Sequence, residues 1–331
     1  MSHVTIDDVA SRAGVSVTTV SHVFSGNRPV SEKTRSRVLA IAESMGYRPN
    51  AIAASLRTNR TRTVMIVLPD ITNSFFPVLA RGVQDTLRPD GYHALICNTD
   101  FLESEERAFL DEAVARRLDG VVFGGSWVPP SDLQQLASAG LAVVTLGDPA
   151  TGTTIDSVRL DDRRAAREAT DYLLSRHPRV GFIGGPAESP VARARLRGYH
   201  DAIRASGSPV NDDYVVLSEF TRAAGRTGLA TLLDLATPPD AVLCANDVIA
   251  LGAIDLTVSR ELSVPGDVAI MGCDDIEAAA IVRPGLTTVR NRADVIGREA
   301  GRLLMSRING EYTGAGRDVI VPHELVFRES A

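Results

Sequence analysis

Lysine is almost missing from this sequence of 331 residues: Lys33 is the only one, and no glycine precedes it. A Walker A phosphate loop ends in a glycine, a lysine and a hydroxyl residue, so the sequence contains no loop of that type. Pyridoxal enzymes need an internal lysine that forms a Schiff base, and the same scarcity argues against that chemistry.

Cysteines and long apolar runs are also scarce. Cys97, Cys244 and Cys273 are far apart and lie in apolar, strand-like runs, which is typical of small buried side chains rather than of disulfides or a metal site. No segment approaches the ~18 consecutive apolar residues of a membrane span, and the first residues do not resemble a signal peptide. We therefore expect a soluble, cytoplasmic protein that has no cofactor and does not bind membranes.

Catalytic motifs are missing as well. The sequence has no GxSxG elbow, no HExxH and no glycine-rich phosphate loop, and its six histidines are scattered. We therefore predict that the protein is not an enzyme.

What the sequence does have is an uneven charge. The whole chain carries −6, but residues 1–62 contain nine basic side chains against four acidic ones, so this segment is +5 and the remainder −11. The phosphate backbone of a nucleic acid responds to local positive charge rather than to the charge of the whole chain. A basic head on an acidic body therefore predicts a polyanionic partner for the head alone.

Three short helices are predicted near the N terminus. Thr5 and Asp8 give a capping-box-like start, and apolar residues at helical spacing continue to Gly14. Ser16 and Ser31 are positioned to cap the second and third helices. The expected buried stripe of the third helix is Val38, Leu39, Ile41, Ala42 and Met45.

Helix, tight turn, helix, loop and helix is the helix-turn-helix arrangement, in which the second helix lies in the DNA major groove. On that helix Val17 can contact a thymine methyl group, and His22 can donate to a guanine acceptor. Thr18 and Ser21 are small polar side chains that can approach the bases closely. The alternative is that these polar side chains only solvate the outer face of a small helical bundle.

The stretches VTIDDVASRAGVSVTTVSHVFSG and VSEKTRSRVLAIAESMGYRPNAIAASLRT resemble the DNA-binding head and hinge of the LacI/GalR family of bacterial transcription regulators. The resemblance implies a homodimer on palindromic double-stranded operator DNA, with two groups of contacts. The base-reading residues are Val17, Thr18 and His22, and the phosphate-binding residues are Thr5, Ser16 and Asn27.

Residues 49–58, PNAIAASLRT, form a separate segment. Pro49 suits a helix start and alanines such as Ala53 favour a helix, but fewer than ~12 residues make a marginal helix in water. Paired with a second copy on DNA the helix can form, with Leu56 as an apolar wedge in the minor groove and Arg57 beside the backbone. The alternative is a plain interdomain linker.

The rest of the chain repeats a short apolar run, a polar or glycine-containing turn and an amphipathic helical stretch. Short, almost continuously apolar strands that alternate with helices predict parallel sheets with helices on both faces. Polar residues cluster after the runs, and the runs form two sets that change near residues 157–162, which favours two open sheets over one barrel. The runs are VMIVLPD (64–70), ALICNTD (94–100), GVVFGG (120–125), AVVTLG (142–147), VGFIGG (180–185), YVVLSE (214–219), AVLCAND (241–247) and VAIMGCDD (268–275).

PDITNSFFP, RARLRGY, ANDVIALGAI and GCDD followed by PGLTTVR resemble the family's periplasmic-binding-protein-like core. The resemblance implies an α/β fold: an all-α helix-turn-helix head and hinge helix, then two doubly wound parallel-sheet subdomains joined by three crossings near residues 160, 290 and 320. The expected domains are 1–48 (head), 49–61 (hinge helix and linker) and 62–331 (core), with subdomains of about 62–159 plus 291–319 and about 160–290 plus 320–331.

Two facing sheets enclose a cleft at the carboxyl ends of their strands, where we expect a small effector. Arg195 offers a fork of donors, Asp274 accepts, Asn246 does both, and the aromatic candidates offer flat apolar faces, which suits a sugar-like ligand. The resemblance implies that these three residues anchor the effector and that Phe220 is the stacking wall. The candidate effector-binding residues are Asp70, Phe75, Trp127, Arg195, Phe220, Asn246 and Asp274.

Several alternatives stay open. Asp247 can cap a helix instead of touching ligand, Asp275 can be a cap or a hinge contact, and Arg193 can lie on the surface. The final residues, HELVFRESA, contain no leucine heptads, which favours a dimer over a tetramer built by a tail. We predict a sequence-specific repressor controlled by a sugar-like effector; the rival functions are a sugar-binding enzyme and a transport-type binding protein, each with an appended DNA-binding head.

Overall fold

The computed structural model describes residues 4–25, 28–48, 60–125 and 127–331. The expected hinge helix and four of the expected DNA-binding residues, Asn27, Ala53, Leu56 and Arg57, lie outside the described residues. The chain divides into two compact units, Met1–Thr61 and Arg62–Ala331.

The described helices of the first unit are α1 (Ile6–Ala13), α2 (Val17–Ser25) and α3 (Glu32–Ser44). A capping box starts α1: Asp8 N donates to Thr5 Oγ1 at 3.3 Å, and Thr5 N donates to Asp8 Oδ2 at 2.8 Å. The helix ends at Gly14, whose φ of +61° lies in the left-handed region that glycine enters without a steric penalty. Because this turn is tight, α2 follows at once, and the predicted helix-turn-helix is confirmed.

A small apolar core holds these helices together. Leu39, expected in the buried stripe of α3, is instead 39% exposed. Val38 and Ala42 lie four residues apart on one face of the helix, and Leu39 is rotated from that face by about 100°. The buried side chains of this core are Val9, Ala10, Ala13, Val20, Val23, Val38 and Ala42.

The second unit contains two open six-stranded sheets rather than a barrel. The first sheet is parallel throughout and has the strand order β11-β5-β4-β3-β1-β2. Its strands are β1 (Thr63–Leu68), β2 (His93–Asn98), β3 (Gly120–Phe123), β4 (Ala142–Thr145), β5 (Asp156–Arg159) and β11 (Asp318–Ile320).

The second sheet has the order β12-β10-β9-β8-β6-β7 and is parallel except for β12, which runs antiparallel to β10. The fold predicted for the core, two doubly wound sheets, is therefore confirmed, with one antiparallel edge strand added. The strands are β6 (Val180–Gly184), β7 (Val215–Leu217), β8 (Ala241–Cys244), β9 (Ala269–Asp274), β10 (Thr287–Arg290) and β12 (Glu324–Val326).

Helices cover both faces of each sheet, so the strands alternate between two apolar layers. On β1, Ile66 packs into one cluster and Met65 and Val67 pack into the cluster on the opposite face. The first sheet is flanked by α4 (Phe75–Leu87), α5 (Glu103–Ala115), α6 (Pro130–Ser138) and α12 (Ala293–Ile308). The second is flanked by α7 (Asp162–Leu174), α8 (Pro190–Ala205), α9 (Arg222–Leu233), α10 (Asp247–Ser259) and α11 (Glu277–Ile281).

The chain passes between the sheets three times: after β5, after β10 and after β11. These passages bring the carboxyl ends of the strands of both sheets towards one cleft. None of the described helices combines the length and apolar character that crossing a membrane requires.

Candidate effector cleft and DNA-reading head

A cavity of about 130 Å³ lies between the two sheets of the core, at the carboxyl ends of their strands. Both subdomains contribute to its lining. The lining residues are Pro69, Asn73, Phe75, Phe76, Leu79, Phe101, Gly124, Leu146, Gly147, Val158, Arg159, Leu160, Asp162, Ser189, Val191, Arg195, Phe220, Asn246, Asp274, Asn291 and Ile296.

Five of the seven predicted effector residues line this cavity, and Asp70 and Trp127 do not. Asp70 instead accepts hydrogen bonds from the backbone N and the Oγ1 of Thr72, at 2.8 and 2.6 Å, so its carboxylate closes a local turn. The backbone N of Trp127 donates to the buried carboxylate of Glu106 at 3.0 Å, which holds this residue in the loop after β3. The lining residues among the seven are Phe75, Arg195, Phe220, Asn246 and Asp274.

Arg195 is the central charge of the cleft and is only 6% exposed. Its Nε donates to Asp162 Oδ1 at 2.7 Å, its Nη2 lies 3.5 Å from Asp274 Oδ1, and its Nη1 donates to the carbonyl oxygen of Ala245. A guanidinium taken out of water needs such partners, because an unpaired buried charge is strongly unfavourable. Its two carboxylate partners leave the cleft without a free positive charge at this point.

Two buried carboxylates influence each other at the cleft: Asp274 lines the cavity, and Asp247 does not. Burial raises the pKa of Asp274 to about 6, although Arg195 opposes the shift. Burial and the neighbouring Asp274 raise the pKa of Asp247 to about 7. Asp247 accepts from Thr288 Oγ1 at 2.5 Å and from Ile276 N at 2.9 Å, so it ties the start of α10 to β10 and to the turn after β9.

The capping role proposed for Asp247 belongs to Asn246, whose Oδ1 accepts from Ile249 N at 2.9 Å. Asn246 is 4% exposed and lines the cavity, so its amide NH₂ is the group that can serve a ligand. Asp275 forms ion pairs with Arg290 and Arg328, each at 2.7 Å. Arg193 is exposed and donates to the carbonyl oxygen of Glu188 at 2.8 Å, as the surface interpretation expected.

Sequence reasoning missed several polar and aromatic residues of the lining. Ser189 Oγ accepts from Ala192 N at 3.4 Å and caps the start of α8, and Asn73 Oδ1 accepts from Phe75 N at 3.1 Å in a turn just before α4. Phe76 in α4 and Arg159 in β5 are two of the missed residues. Five others follow the carboxyl end of a strand, and that position is the signal that could have found them. They are Asn73, Phe101, Asp162, Ser189 and Asn291.

The described part of the chain contains neither a group of metal ligands nor a disulfide. No three His, Cys, Asp or Glu side chains are grouped there as ligands of one ion. Cys97, Cys244 and Cys273 are free, and burial raises the pKa of each thiol.

The head presents the start of α2. Val17 is 39% exposed and Thr18 is exposed, whereas Ser21 and His22 are half-buried. Ser16 Oγ accepts from Thr19 N at 3.1 Å and so caps the helix.

Local structure limits the donors that Thr5 and His22 can offer. Thr5 Oγ1 donates to Asp8 Oδ2 at 2.7 Å, so its hydroxyl proton is already used in the capping box. His22 Nδ1 is buried and has no hydrogen-bond partner among the described atoms. Because a neutral imidazole carries one proton, placing that proton on Nε2 leaves Nε2 as the donor of this side chain.

The basic side chains of the head are exposed, and within the described residues none of them forms an ion pair. Such charge is free to meet the phosphates of a nucleic acid. The residues concerned are Arg12, Arg28, Lys33, Arg35, Arg37 and Arg48.

Residues 5–50 match the protein family described as "Bacterial regulatory proteins, lacI family". Residues 169–331 match the family described as "Periplasmic binding protein-like domain". Catabolite control protein A of Priestia megaterium is 36% identical over 99% of this chain and 99% of its own length. This chain belongs to the LacI family.

Other regulators are similar to this chain over almost its whole length. The transcriptional repressor CytR of Escherichia coli K12 is 35% identical over 98% of this chain and 96% of that protein. The solved CelR–cellobiose complex is 30% identical, covers 99% of this chain and all of that chain, and superposes with a TM-score of 0.75. These relatives are regulators rather than enzymes, and this chain is a DNA-binding transcriptional regulator of the LacI family.

Proposed function

We propose that this LacI-family chain is a cytoplasmic, non-catalytic repressor whose operator affinity is controlled by a neutral, sugar-like effector. The observation that carries the effector's class is the pairing of Arg195 with Asp162 and Asp274. The other guanidinium of the lining, that of Arg159, donates to Asp318 at 3.1 and 2.8 Å. With both cations already neutralised, an anionic ligand gains little, and a ligand with hydroxyl groups fits the remaining donors and acceptors.

A sugar also suits the apolar part of the lining. Its hydroxyl groups pair with Arg195, Asn246 and Asp274, and its C–H face lies on Phe220 or Phe75. The CelR relative that shares this fold was solved with cellobiose.

The DNA contacts are proposed for the head and hinge. Val17, Thr18 and His22 read base edges, with Ser21 beside them, and His22 donates through Nε2. The phosphate-binding residues are Thr5, Ser16 and Asn27, and the hinge contacts are Ala53, Leu56 and Arg57. Both donors of Thr5, its hydroxyl group and its backbone N, already bond to Asp8, so a phosphate contact at this residue requires one of these bonds to break.

The proposed domains are 1–48, 49–61 and 62–331, with subdomains of about 62–159 plus 291–319 and about 160–290 plus 320–331. A homodimer places two heads on a palindrome. Effector binding changes the angle between the subdomains and thereby the pairing of the hinges, and a coupling of about 1–3 kcal/mol changes affinity about 5- to 150-fold.

Thermal-shift screening of the full chain with pyranosides, pentoses and nucleosides tests the effector class. A ligand at 100 times its Kd adds about 2.7 kcal/mol to the free energy of unfolding. Asp274→Asn should weaken that ligand about 10- to 100-fold, because a charged hydrogen bond in the cleft is lost. Asp255→Asn, on the exposed side of α10, is the matched control and should leave the affinity unchanged. Equal affinities of both variants would place the effector elsewhere.

Base reading is tested with duplexes. His22→Ala should cost about 1–3 kcal/mol on the preferred half-site and little on a half-site changed at the contacted base pair. Equal losses on both duplexes would show that His22 does not read a base.

A further inference from the structure

Two aromatic rings from opposite subdomains face each other in the cleft. Phe101 follows β2 of the first sheet and Phe220 follows β7 of the second, and both line the cavity. Their ring centroids are 6.0 Å apart and their planes differ by 26°. Aromatic pairs attract one another at such distances.

The backbone conformation of Phe101 is unfavourable for a residue with a side chain. Leu102 N donates to Thr99 O at 2.9 Å, which closes a four-residue turn, and both central residues have positive φ, +49° at Asp100 and +60° at Phe101. Positive φ at both central positions is the mark of a type I′ turn, where glycine, asparagine and aspartate are favoured. A bulky aromatic residue at the second position is strained, and strain of this kind is retained chiefly at functional sites.

Neighbouring bonds keep the turn in place. The Asn98 side chain donates through Nδ2 to Asp100 Oδ1 at 2.6 Å and accepts from Ile71 N at 2.8 Å, so it joins the turn to the loop after β1. On the other side of the cleft the Phe220 ring lies directly over Gly185, where an added Cβ would be 2.3 Å from the ring. Both rings are therefore positioned by their own subdomain.

Resting on the function proposed above, we propose that Phe101 and Phe220 are the two walls of one effector subsite, and that Phe101 determines specificity for a ring that is apolar on both faces. An all-equatorial pyranose has C–H groups on both faces, and a planar nucleoside base has two π faces. A pyranose with an axial hydroxyl group turns one polar face towards a wall. The polar end of the same ligand lies at Arg195, Asn246 and Asp274.

This subsite also links the effector to the subdomain angle. Apolar contacts form at about 3.5–4.0 Å, so a ring held between two walls needs about 7–8 Å between them. The walls are now 6.0 Å apart. Because they belong to different subdomains, a ring that enters must widen this side of the cleft.

The test uses the full chain with methyl β-D-glucopyranoside, its C4 epimer methyl β-D-galactopyranoside, and uridine, each titrated calorimetrically. Wild type should prefer the glucoside or uridine to the galactoside. Phe101→Leu should lower the affinity for the preferred compound about 3- to 10-fold and narrow the preference, because a flat wall is lost. Phe109→Leu, the same change in α5 away from the cavity, should leave the affinities and their ratio unchanged.

Phe101→Gly separates binding from folding. Glycine fits the left-handed turn, so Tm should not fall even though the affinity does. Wild-type affinity and preference in both Phe101 variants would overturn the specificity role while leaving the effector cleft intact. A lower Tm with equal losses for all three compounds would make Phe101 structural only. No binding of any compound to wild type would overturn the sugar-like effector class and this inference with it.

Discussion

The head and the core use their arginines in opposite ways. In the described part of the head, exposed basic side chains such as Arg35 and Arg37 form no ion pair. In the core many arginines are paired with carboxylates, including Arg163 with Asp201 at 2.6 Å. The net charge of −6 therefore says little about the head, whose exposed basic side chains are not neutralised by carboxylates in the described part of the chain.

Stability alone does not explain the pairing in the core. An exposed ion pair contributes only about 0–1 kcal/mol. Buried pairs are different: Asp156 is fully buried, and burial would raise the pKa of its carboxyl group, but hydrogen bonds from Arg307 and Arg317 hold that pKa below its usual value. In such a buried pair, removing either the arginine or the carboxylate leaves the other as an uncompensated buried charge.

Salt should separate the two regions most strongly. DNA affinity of the head should fall by about 10³- to 10⁵-fold between 50 and 200 mM salt if about 6–10 phosphates are contacted, because bound counterions are released. Effector affinity of the core should hardly change, since its guanidinium groups are neutralised internally. Fluorescence anisotropy and calorimetry over one salt series measure both, and parallel slopes would contradict the comparison.

Replacing one arginine by alanine in each region compares how much the two arginines contribute to stability. Arg195→Ala should lower the free energy of unfolding by about 3–5 kcal/mol, because Asp162 and Asp274 lose their buried partner. Arg35→Ala, at an exposed position without an ion pair among the described residues, should stay within about 0.5 kcal/mol of wild type. Urea unfolding of the full chain gives both values. A large loss at Arg35 would show that its charge supports the fold.

The core should also depend on pH in a way that the head does not. The pKa of Asp247 is about 7 in the folded chain and lies near 4 in the unfolded one, so the folded state binds the extra proton. Its stabilising effect is complete below about pH 4 and is lost as pH rises through 7. Relative to Asp247→Asn, the wild-type free energy of unfolding should fall by about 2–3 kcal/mol between pH 5 and pH 8. A constant difference between the two proteins would mean that Asp247 does not titrate in this range.

The smallest effect concerns the head's local bonds. Thr5→Ala removes the capping box of α1 and should lower head stability by about 1 kcal/mol. Thr5→Ser keeps the hydroxyl group and should retain most of that stability. Hydrogen exchange of the α1 amides measures the change, and an unchanged exchange rate in Thr5→Ala would show that the cap is unimportant.

The described helices of the head could be predicted because their signals are local. Thr5, Ser16 and Gly14 act on backbone groups within four residues of themselves. Leu39 was the exception. Its apolar side chain was included in the predicted buried stripe, but the face that α3 buries is narrower and contains Val38 and Ala42.

The cleft was predicted only in part. Arg195, Asn246 and Asp274 follow buried apolar runs or lie in recognisable motifs, and all three line the cavity. Asp70 also follows a strand, yet its carboxylate turns back to Thr72, and no sequence pattern distinguishes these two outcomes.

Periodicity, caps and local charge act over a few neighbouring residues, so the helix-turn-helix, the alternating strands and helices and the basic head could be predicted from the sequence, together with a cleft at the strand ends. The pairing of Arg195 with Asp162 and the approach of Phe101 to Phe220 became visible in the folded chain alone. These partners are separated by 33 residues in the first pair and come from different sheets in the second. The first meeting depends on how α7 packs against α8, and the second depends on how the chain crosses between the sheets. Both are set by the packing of whole elements and leave no local mark in the sequence.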